Sequence, residues 1–324
     1  NFFMLCFFVN YYKFKLFGMY KIITTFCIAT SFLISQSLIG PGTTKTNLFN
    51  FLIANYKTSS TLGYNQARDK MYSIIDLEDN NTLKGIYTNY TITINPSQDP
   101  RPQTNALNMN CEHSWPQSMG AGSEPQKSDL HHLYPCRGNV NSSRGNKPFA
   151  DINDDETDKW WRSDYYETNI PNQYIDEFSE VDNDNGKFEP REDVKGNIAR
   201  SIFYFYTVYN NVADQSFFDI QKEALYAWHK EDPADEKELE RTLAIASYQN
   251  NIPNPFVIDS TLIKRIWFLN CYENTNSQLI IEHIINNNFF NSNIDVNSNA
   301  KVDLFDLIHT INRESGGNAY FICN

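Results

Sequence analysis

Three neighbouring stretches decide the fold: Asn110–Gln117 (NCEHSWPQ), Ser128–Pro135 (SDLHHLYP) and Val140–Phe149 (VNSSRGNKPF). They contain three of the six histidines in the chain, together with carboxylate, amide and guanidinium groups. A short strand is predicted over residues 107–113, and adjacent side chains of a strand point to opposite faces. The side chains at 112 and 113 can therefore approach one reacting atom from different sides.

Hard oxygen ligands beside an imidazole predict a hydrolytic metal site in this region. Glu112 and Asn141 offer oxygen atoms that suit Mg²⁺, with Mn²⁺ or Ca²⁺ as substitutes. Mg²⁺ needs few protein ligands because it keeps waters and binds substrate phosphates. His113 is then free to act as a general base, while Arg144 and Lys147 can hold phosphates.

The residue types alone leave three other interpretations open. Cysteine and histidine ligands for zinc are available at Cys111, His113, 131–132 and Cys136, although this spacing matches no common zinc finger. A Cys–His nucleophile could use Cys111 or Cys136. The histidines could also lie on a solvated acidic surface with no chemical role.

The same stretches resemble the endonuclease I family of secreted and periplasmic bacterial nucleases, whose active site is a ββα-metal finger. The resemblance covers about residues 45–265. Besides 110–117, 129–135 and 140–146, the matching blocks are 188–190 (FEP), 195–200 (KGNIAR), 228–233 (WHKEDP) and 249–259 (QNNIPNPFVID).

This resemblance implies an α+β fold, mainly helical with small sheets, and a role for each site residue. His113 matches the general base, and Glu112 and Asn141 match the metal ligands. Arg144 belongs to the catalytic set. His131, His132 and Asn146 match further positions of the family, and together with Lys147 they are predicted to bind the substrate.

The implied reaction is metal-assisted hydrolysis of phosphodiester bonds in DNA or RNA, leaving 5′ phosphates. Cutting without sequence specificity is expected, because the enzyme's contacts with the nucleic acid go to phosphate and sugar rather than to base edges. The protein is expected to be a monomer. The connection Met119–Lys127 is short, and Lys127 is its only cation. The alternative function is an inactive, exported binding or surface-assembly protein that keeps the fold.

The composition of the chain argues against several other classes of protein. The 324-residue chain has 27 basic and 39 acidic residues, a formal net charge of −12, and is 41% hydrophobic. The apolar content supports a folded core, and the acidic balance argues against coating nucleic acid by bulk positive charge. The mean hydropathy of −0.52 argues against a polytopic membrane protein.

The first 36 residues are predicted to be an upstream translated stretch followed by a signal peptide that starts near Met19. We therefore expect a secreted or periplasmic protein with no stable membrane partner and a nuclease domain over residues 37–275. Export into an oxidising compartment, and their positions flanking the finger, predict a disulfide between Cys111 and Cys136.

Residues 276–324 are predicted to be a separate Asn-rich tail that resembles half of a dockerin repeat. Its oxygen-bearing side chains follow the spacing of a calcium loop, so a structural Ca²⁺ and a cohesin-like or cell-surface partner are expectations. A spacer or a simple amphipathic helix stays open. The candidate calcium ligands are Asp295, Asn297, Asn299, Asp303 and Asp306.

Two local predictions concern the surroundings of the site. The β-branched and aromatic stretches 86–88 and 90–94 are predicted to be strands. Asp232, followed by Pro233, is predicted to cap a helix that runs to about Gln249.

Overall fold

A computed structural model describes residues 38–269, together with positions 295, 302, 306, 307 and 310. Helices and small antiparallel sheets alternate along this part of the chain, which confirms the predicted α+β class. Among the described residues no helix has both the length and the apolar character needed to cross a membrane. The helices are α1 (Lys45–Tyr56), α2 (Tyr64–Lys70), α3 (Pro100–Ala106), α4 (Gly138–Arg144), α5 (Lys195–Val208), α6 (Gln215–Asp219), α7 (Lys222–Glu231), α8 (Glu236–Ala246) and α9 (Pro255–Ile258).

The described strands form three separate antiparallel sheets. Two are hairpins, β1 with β2 and β3 with β4, and the third has the order β6-β5-β7-β8. The strands are β1 (Thr82–Lys84), β2 (Thr91–Thr93), β3 (Met109–His113), β4 (Leu133–Arg137), β5 (Lys159–Arg162), β6 (Tyr165–Glu167), β7 (Ser179–Asp182) and β8 (Lys187–Glu189).

Helix α5 is the centre of the core. Nearly every side chain along it is buried, polar ones included, because other elements pack on several of its sides. It packs against α1, α7 and α9, and the ring of Phe205 stacks on Trp115 with 4.9 Å between centroids. Trp115 lies two residues beyond His113, so this contact ties the end of strand β3 to the core.

The predicted ββα finger consists of β3, β4 and α4. Glu112 pairs with Tyr134 and His113 with Leu133 in the antiparallel register. Helix α4 begins at Gly138, directly after β4, where a Cβ would lie 2.4 Å from the side-chain oxygen of Asn108. A larger residue at this junction would therefore have to displace the side chains of Asn108 and Asn110.

Residues 86–88 form a turn, so the predicted strand there is wrong. The ring of Tyr87 is fully buried and its hydroxyl donates to Glu112 at 2.7 Å. Its carbonyl accepts a hydrogen bond from the hydroxyl of Ser179. The apolar character of this stretch thus reflects core packing behind the finger rather than strand pairing.

The predicted cap at Asp232 is also wrong. Helix α8 begins at Glu236, and Asp235 caps it by accepting from the backbone N–H of Glu238 at 2.8 Å. The carboxylate of Asp232 instead accepts from the N–H of Gly196 at 2.9 Å. A tertiary contact with the first turn of α5 therefore replaces the local cap.

Part of the predicted tail lies within the described residues. Asp295 and Asp306 are both buried. Asn297, Asn299 and Asp303 lie outside the described residues, as does the predicted signal peptide. The calcium loop and the boundary between residues 275 and 276 stay predictions.

The stability of the four-stranded sheet should fall with rising pH because of one buried carboxyl. Glu180 accepts a hydrogen bond from Thr157, and burial, with Glu189 nearby, raises its pKa to about 8. The folded protein therefore keeps a proton that the unfolded chain releases above pH ~4.5. The free energy of unfolding should decrease by ~2–4 kcal/mol as pH rises from about 5 to about 8.

Denaturant unfolding at both pH values measures this effect. Glu180→Gln should make the decrease smaller by about that amount, because the amide does not titrate. Glu167→Gln is the matched control, since Glu167 is exposed on β6 of the same sheet. An equal pH dependence in all three proteins would contradict the prediction.

Candidate active site

The carboxylate of Glu112 is buried at the base of the finger. Its Oε1 accepts from the hydroxyl of Tyr87 at 2.7 Å and from the guanidinium of Arg144 at 3.1 Å. Burial raises the pKa of Glu112, and Arg144 and the Tyr87 hydroxyl oppose that shift. Arg144 and Tyr87 thus offset part of the cost of burying this carboxylate.

The surroundings of the His113 ring differ from those of Glu112, as the alternation of side chains along a strand predicts. Its Nε2 is 3.0 Å from the carbonyl oxygen of Lys127. Because a carbonyl can only accept, Nε2 carries the proton and Nδ1 keeps its lone pair. Burial and the neighbouring His132 lower the pKa of His113 to about 3. The imidazole is therefore neutral at neutral pH, with Nδ1 as its acceptor atom, but a pKa this low makes it a weak base in these surroundings.

Helix α4 positions the amide of Asn141 next to strand β3. The amide nitrogen donates to the carbonyl of Cys111 at 3.2 Å. This bond fixes the orientation of the amide and leaves its Oδ1 as the acceptor atom. Gly145 ends the helix one turn later with a φ of +57°, a conformation that favours glycine.

Arg144 clamps α4 to the end of β3 from inside the protein. It is 1% exposed, and its guanidinium donates to Glu112 and to the carbonyls of His113 and Ser114. It also lies over the ring of Phe149, 4.5 Å from the centroid. Arg144 is thus a positioning residue in this structure rather than a group that reaches a substrate.

The oxygen atoms of Glu112 and Asn141 fit a small hard cation. Both hydrogen bonds that Glu112 accepts from the described residues fall on Oε1, which leaves Oε2 for a ligand. Within the described residues no group of three or more His, Cys, Asp or Glu side chains could hold a metal. One carboxylate and one amide suit Mg²⁺, which keeps waters, better than they suit zinc.

The structure places His131 and His132 inside the protein. Their Nε2 atoms contact the backbone carbonyls of Ile252 at 3.0 Å and Gln126 at 2.6 Å. Both rings are at most 3% exposed, and burial lowers both pKa values. Here they support the loop that leads into β4, and their role in substrate binding stays a prediction.

Asn146 and Lys147 follow the C-terminal end of α4. The amide of Asn146 donates to the hydroxyl of Ser118 at 2.9 Å, and it remains exposed. The ammonium of Lys147 donates to the carbonyl of Ser143 at 3.1 Å and is half-buried. Their role in substrate binding stays a prediction.

Cys111 and Cys136 are free thiols, so the predicted disulfide does not form in this structure. The register explains why. Cys111 lies opposite Pro135 and Cys136 opposite Asn110, so the two thiols are one step apart and face opposite sides of the hairpin. They belong to two separate apolar clusters.

The two thiols should therefore be available only after unfolding. Burial raises the pKa of Cys111 to about 12 and also raises that of Cys136, and the thiolate is the reactive form. Iodoacetamide without reductant should leave both cysteines unmodified in the native protein and alkylate both in guanidinium chloride. Peptide mass spectrometry reads this out, and a linked Cys111–Cys136 peptide would contradict it.

Some residues of the site were missed by sequence reasoning. Gln117 belongs to the quoted motif, and its amide is 3.4 Å from Nδ1 of His113. Tyr64 packs its ring on His113 with 5.4 Å between centroids. No local pattern identifies Tyr64 or the carbonyl of Lys127, since the chain brings them to His113 from distant elements.

Comparison with known proteins identifies the family of this chain. The chain matches the endonuclease I family over residues 42–261, and it belongs to that family.

Individual relatives carry more specific names. The chain is 32% identical over 181 residues to the extracellular ribonuclease of Bacillus subtilis (strain 168), covering 50% of this chain and 55% of the relative. It is 31% identical over 175 residues to that of Bacillus amyloliquefaciens, covering 49% and 53%. It is 32% identical over 133 residues to the periplasmic deoxyribonuclease of Aeromonas hydrophila, covering 40% and 47%. The matches thus span about half the length of these relatives.

Proposed function

We propose that this protein is an exported, divalent-metal-dependent endonuclease that hydrolyses phosphodiester bonds without sequence specificity. The observation that carries the proposal is the ββα unit, in which β3 supplies Glu112 and His113 and α4 supplies Asn141. A carboxylate and an amide oxygen beside a neutral imidazole are the groups that metal-assisted hydrolysis requires.

The protein's own residues divide the work of the reaction. Nδ1 of His113 takes a proton from a water molecule, whose oxygen attacks phosphorus while the bond to the 3′ oxygen breaks. The leaving oxygen takes a proton from solvent, and the product carries a 5′ phosphate. Glu112 and Asn141 would hold Mg²⁺ or Mn²⁺. A bound divalent cation supplies charge stabilisation for the phosphate and the leaving oxygen.

The carbonyl of Lys127 and the guanidinium of Arg144 act through other residues. The carbonyl holds His113 in the tautomer whose lone pair is on Nδ1. Arg144 opposes the rise that burial causes in the pKa of Glu112, and it fixes the backbone of residues 113 and 114. Both are positioning groups in this proposal.

DNA and RNA are both proposed as substrates. Relatives named ribonucleases and relatives named deoxyribonucleases match the chain at similar identity. Their names also include extracellular and periplasmic locations, which supports export of this chain. The tail is proposed to bind Ca²⁺ or a surface partner, on the sequence pattern alone.

Cleavage of plasmid DNA and of a long single-stranded RNA by the purified protein tests the function. With Mg²⁺ both should be cut to short fragments with 5′ phosphates, which phosphatase removes, and EDTA should stop the reaction. Intact nucleic acid in Mg²⁺ and Mn²⁺ would favour the inactive binding protein. Activity that survives EDTA, or discrete sequence-specific products, would contradict the proposal.

A further inference from the structure

Helix α2 carries a cationic group to the neighbourhood of His113. Tyr64 is the first residue of α2, and its ring packs on the imidazole of His113. Arg68, one turn later, lies over the same ring with its guanidinium carbon 4.4 Å from the centroid. The ammonium of Lys127 lies 5.0 Å from that centroid. Two cations and the proposed general base thus share one aromatic ring.

Both cations keep hydrogen-bonding capacity. Nη2 of Arg68 donates to Asn65 at 2.7 Å, while its buried Nε has no partner among the described residues. No ion pair of the described residues involves Arg68 or Lys127. An arginine and a lysine that have no acidic partner are suited to bind a phosphate.

Three other arginines of the described residues are paired with acidic side chains. Arg144 is buried against Glu112, Arg200 is buried against Glu238, and Arg162 pairs with Glu177. A chain with a net charge of −12 repels a polyanion unless local positive charge faces it. Arg68 and Lys127 supply such charge next to His113.

We propose that Arg68 and Lys127, gathered on the ring of Tyr64, bind the phosphate adjacent to the one that is cleaved. This inference rests on the proposed function. The cleaved phosphate lies at Glu112, His113 and Asn141 in that proposal, and the two cations are one aromatic ring further along. Lys127 has two tasks, since its carbonyl orients His113 and its side chain meets the substrate.

The test compares Arg68→Gln, Lys127→Gln and the double variant with the wild type on a fluorescent oligonucleotide. Each single change should raise KM about tenfold and leave kcat within about twofold, because the contact binds substrate without taking part in bond breaking. The slope of log(kcat/KM) against log[NaCl] should become shallower by ~0.7–0.9 for each cation removed. Arg68→Lys should restore most of the slope.

Lys230→Gln is the matched control. Lys230 lies over the ring of Tyr226, four residues earlier on α7, with its ammonium 4.7 Å from the centroid, and it is exposed. It copies the cation–ring pair of Arg68 and Tyr64 on a different helix. Its KM and salt slope should equal those of the wild type.

Two failures can be told apart. A wild type that cleaves while the double variant keeps the wild-type KM and salt slope overturns the inference and leaves the function standing. A wild type that cleaves no nucleic acid overturns both. Thermal unfolding of each variant identifies any that do not fold, and Arg68→Lys and Lys127→Arg then test the charge with minimal change in packing.

Discussion

Replacing His113 with alanine should lower kcat by about 10²- to 10⁴-fold while leaving metal affinity unchanged. This is the usual range for a positioned general base. The reason lies in the geometry, because Nε2 is bonded to the Lys127 carbonyl and Nδ1 is the proton acceptor. Single-turnover cleavage of a labelled oligonucleotide, measured at saturating Mg²⁺, isolates the chemical step.

His229→Ala provides the control for removing a buried histidine. His229 is 4% exposed, and its Nε2 is 2.9 Å from the carbonyl of Ser260, so its surroundings match those of His113. Its loss should reduce stability without a comparable loss of kcat. A His113→Ala protein that cleaves at the wild-type rate would refute the assignment of the general base.

Replacing Arg144 with methionine should reduce the free energy of unfolding by ~3–5 kcal/mol. Removing one partner of a buried ion pair leaves the other charge without compensation. Arg144 and Glu112 are 1% and 2% exposed, and two backbone carbonyls also lose their donor. Cleavage should fall as well, because the pKa of Glu112 rises further and its carboxyl takes up a proton.

Chemical denaturation with a matched variant measures this effect. Arg162→Met breaks the partly exposed pair with Glu177 and should cost ~0–1 kcal/mol. The double variant Arg144→Met with Glu112→Gln should be more stable than Arg144→Met alone, because no buried charge remains. An equal loss for Arg144→Met and Arg162→Met would show that the clamp contributes little.

The finger could be predicted because its determinants are local. The alternation along β3 places Glu112 and His113 in different surroundings, and glycine at 138 and 145 bounds the helix that carries Asn141. These features depend on residues that are close in sequence.

What could not be predicted depends on contacts between distant residues. The register of β3 against β4 separates Cys111 from Cys136, and a one-step difference in pairing is invisible in their spacing. Tyr87 belongs to an apolar stretch whose residues favour a strand, yet its hydroxyl donates a hydrogen bond to Glu112. Histidine is a residue type common in active sites, but the ring of His131 is held by the backbone carbonyl of Ile252, which is far along the chain.

The most direct test asks whether Glu112 holds the metal while His113 acts as the general base. It is a calorimetric titration of Mn²⁺ into the wild type, Glu112→Gln and His113→Ala. The wild type and His113→Ala should bind one ion with similar affinity, and Glu112→Gln should lose at least tenfold, or ~1.4 kcal/mol. Equal binding by Glu112→Gln, or loss of binding in His113→Ala, would contradict this division of roles.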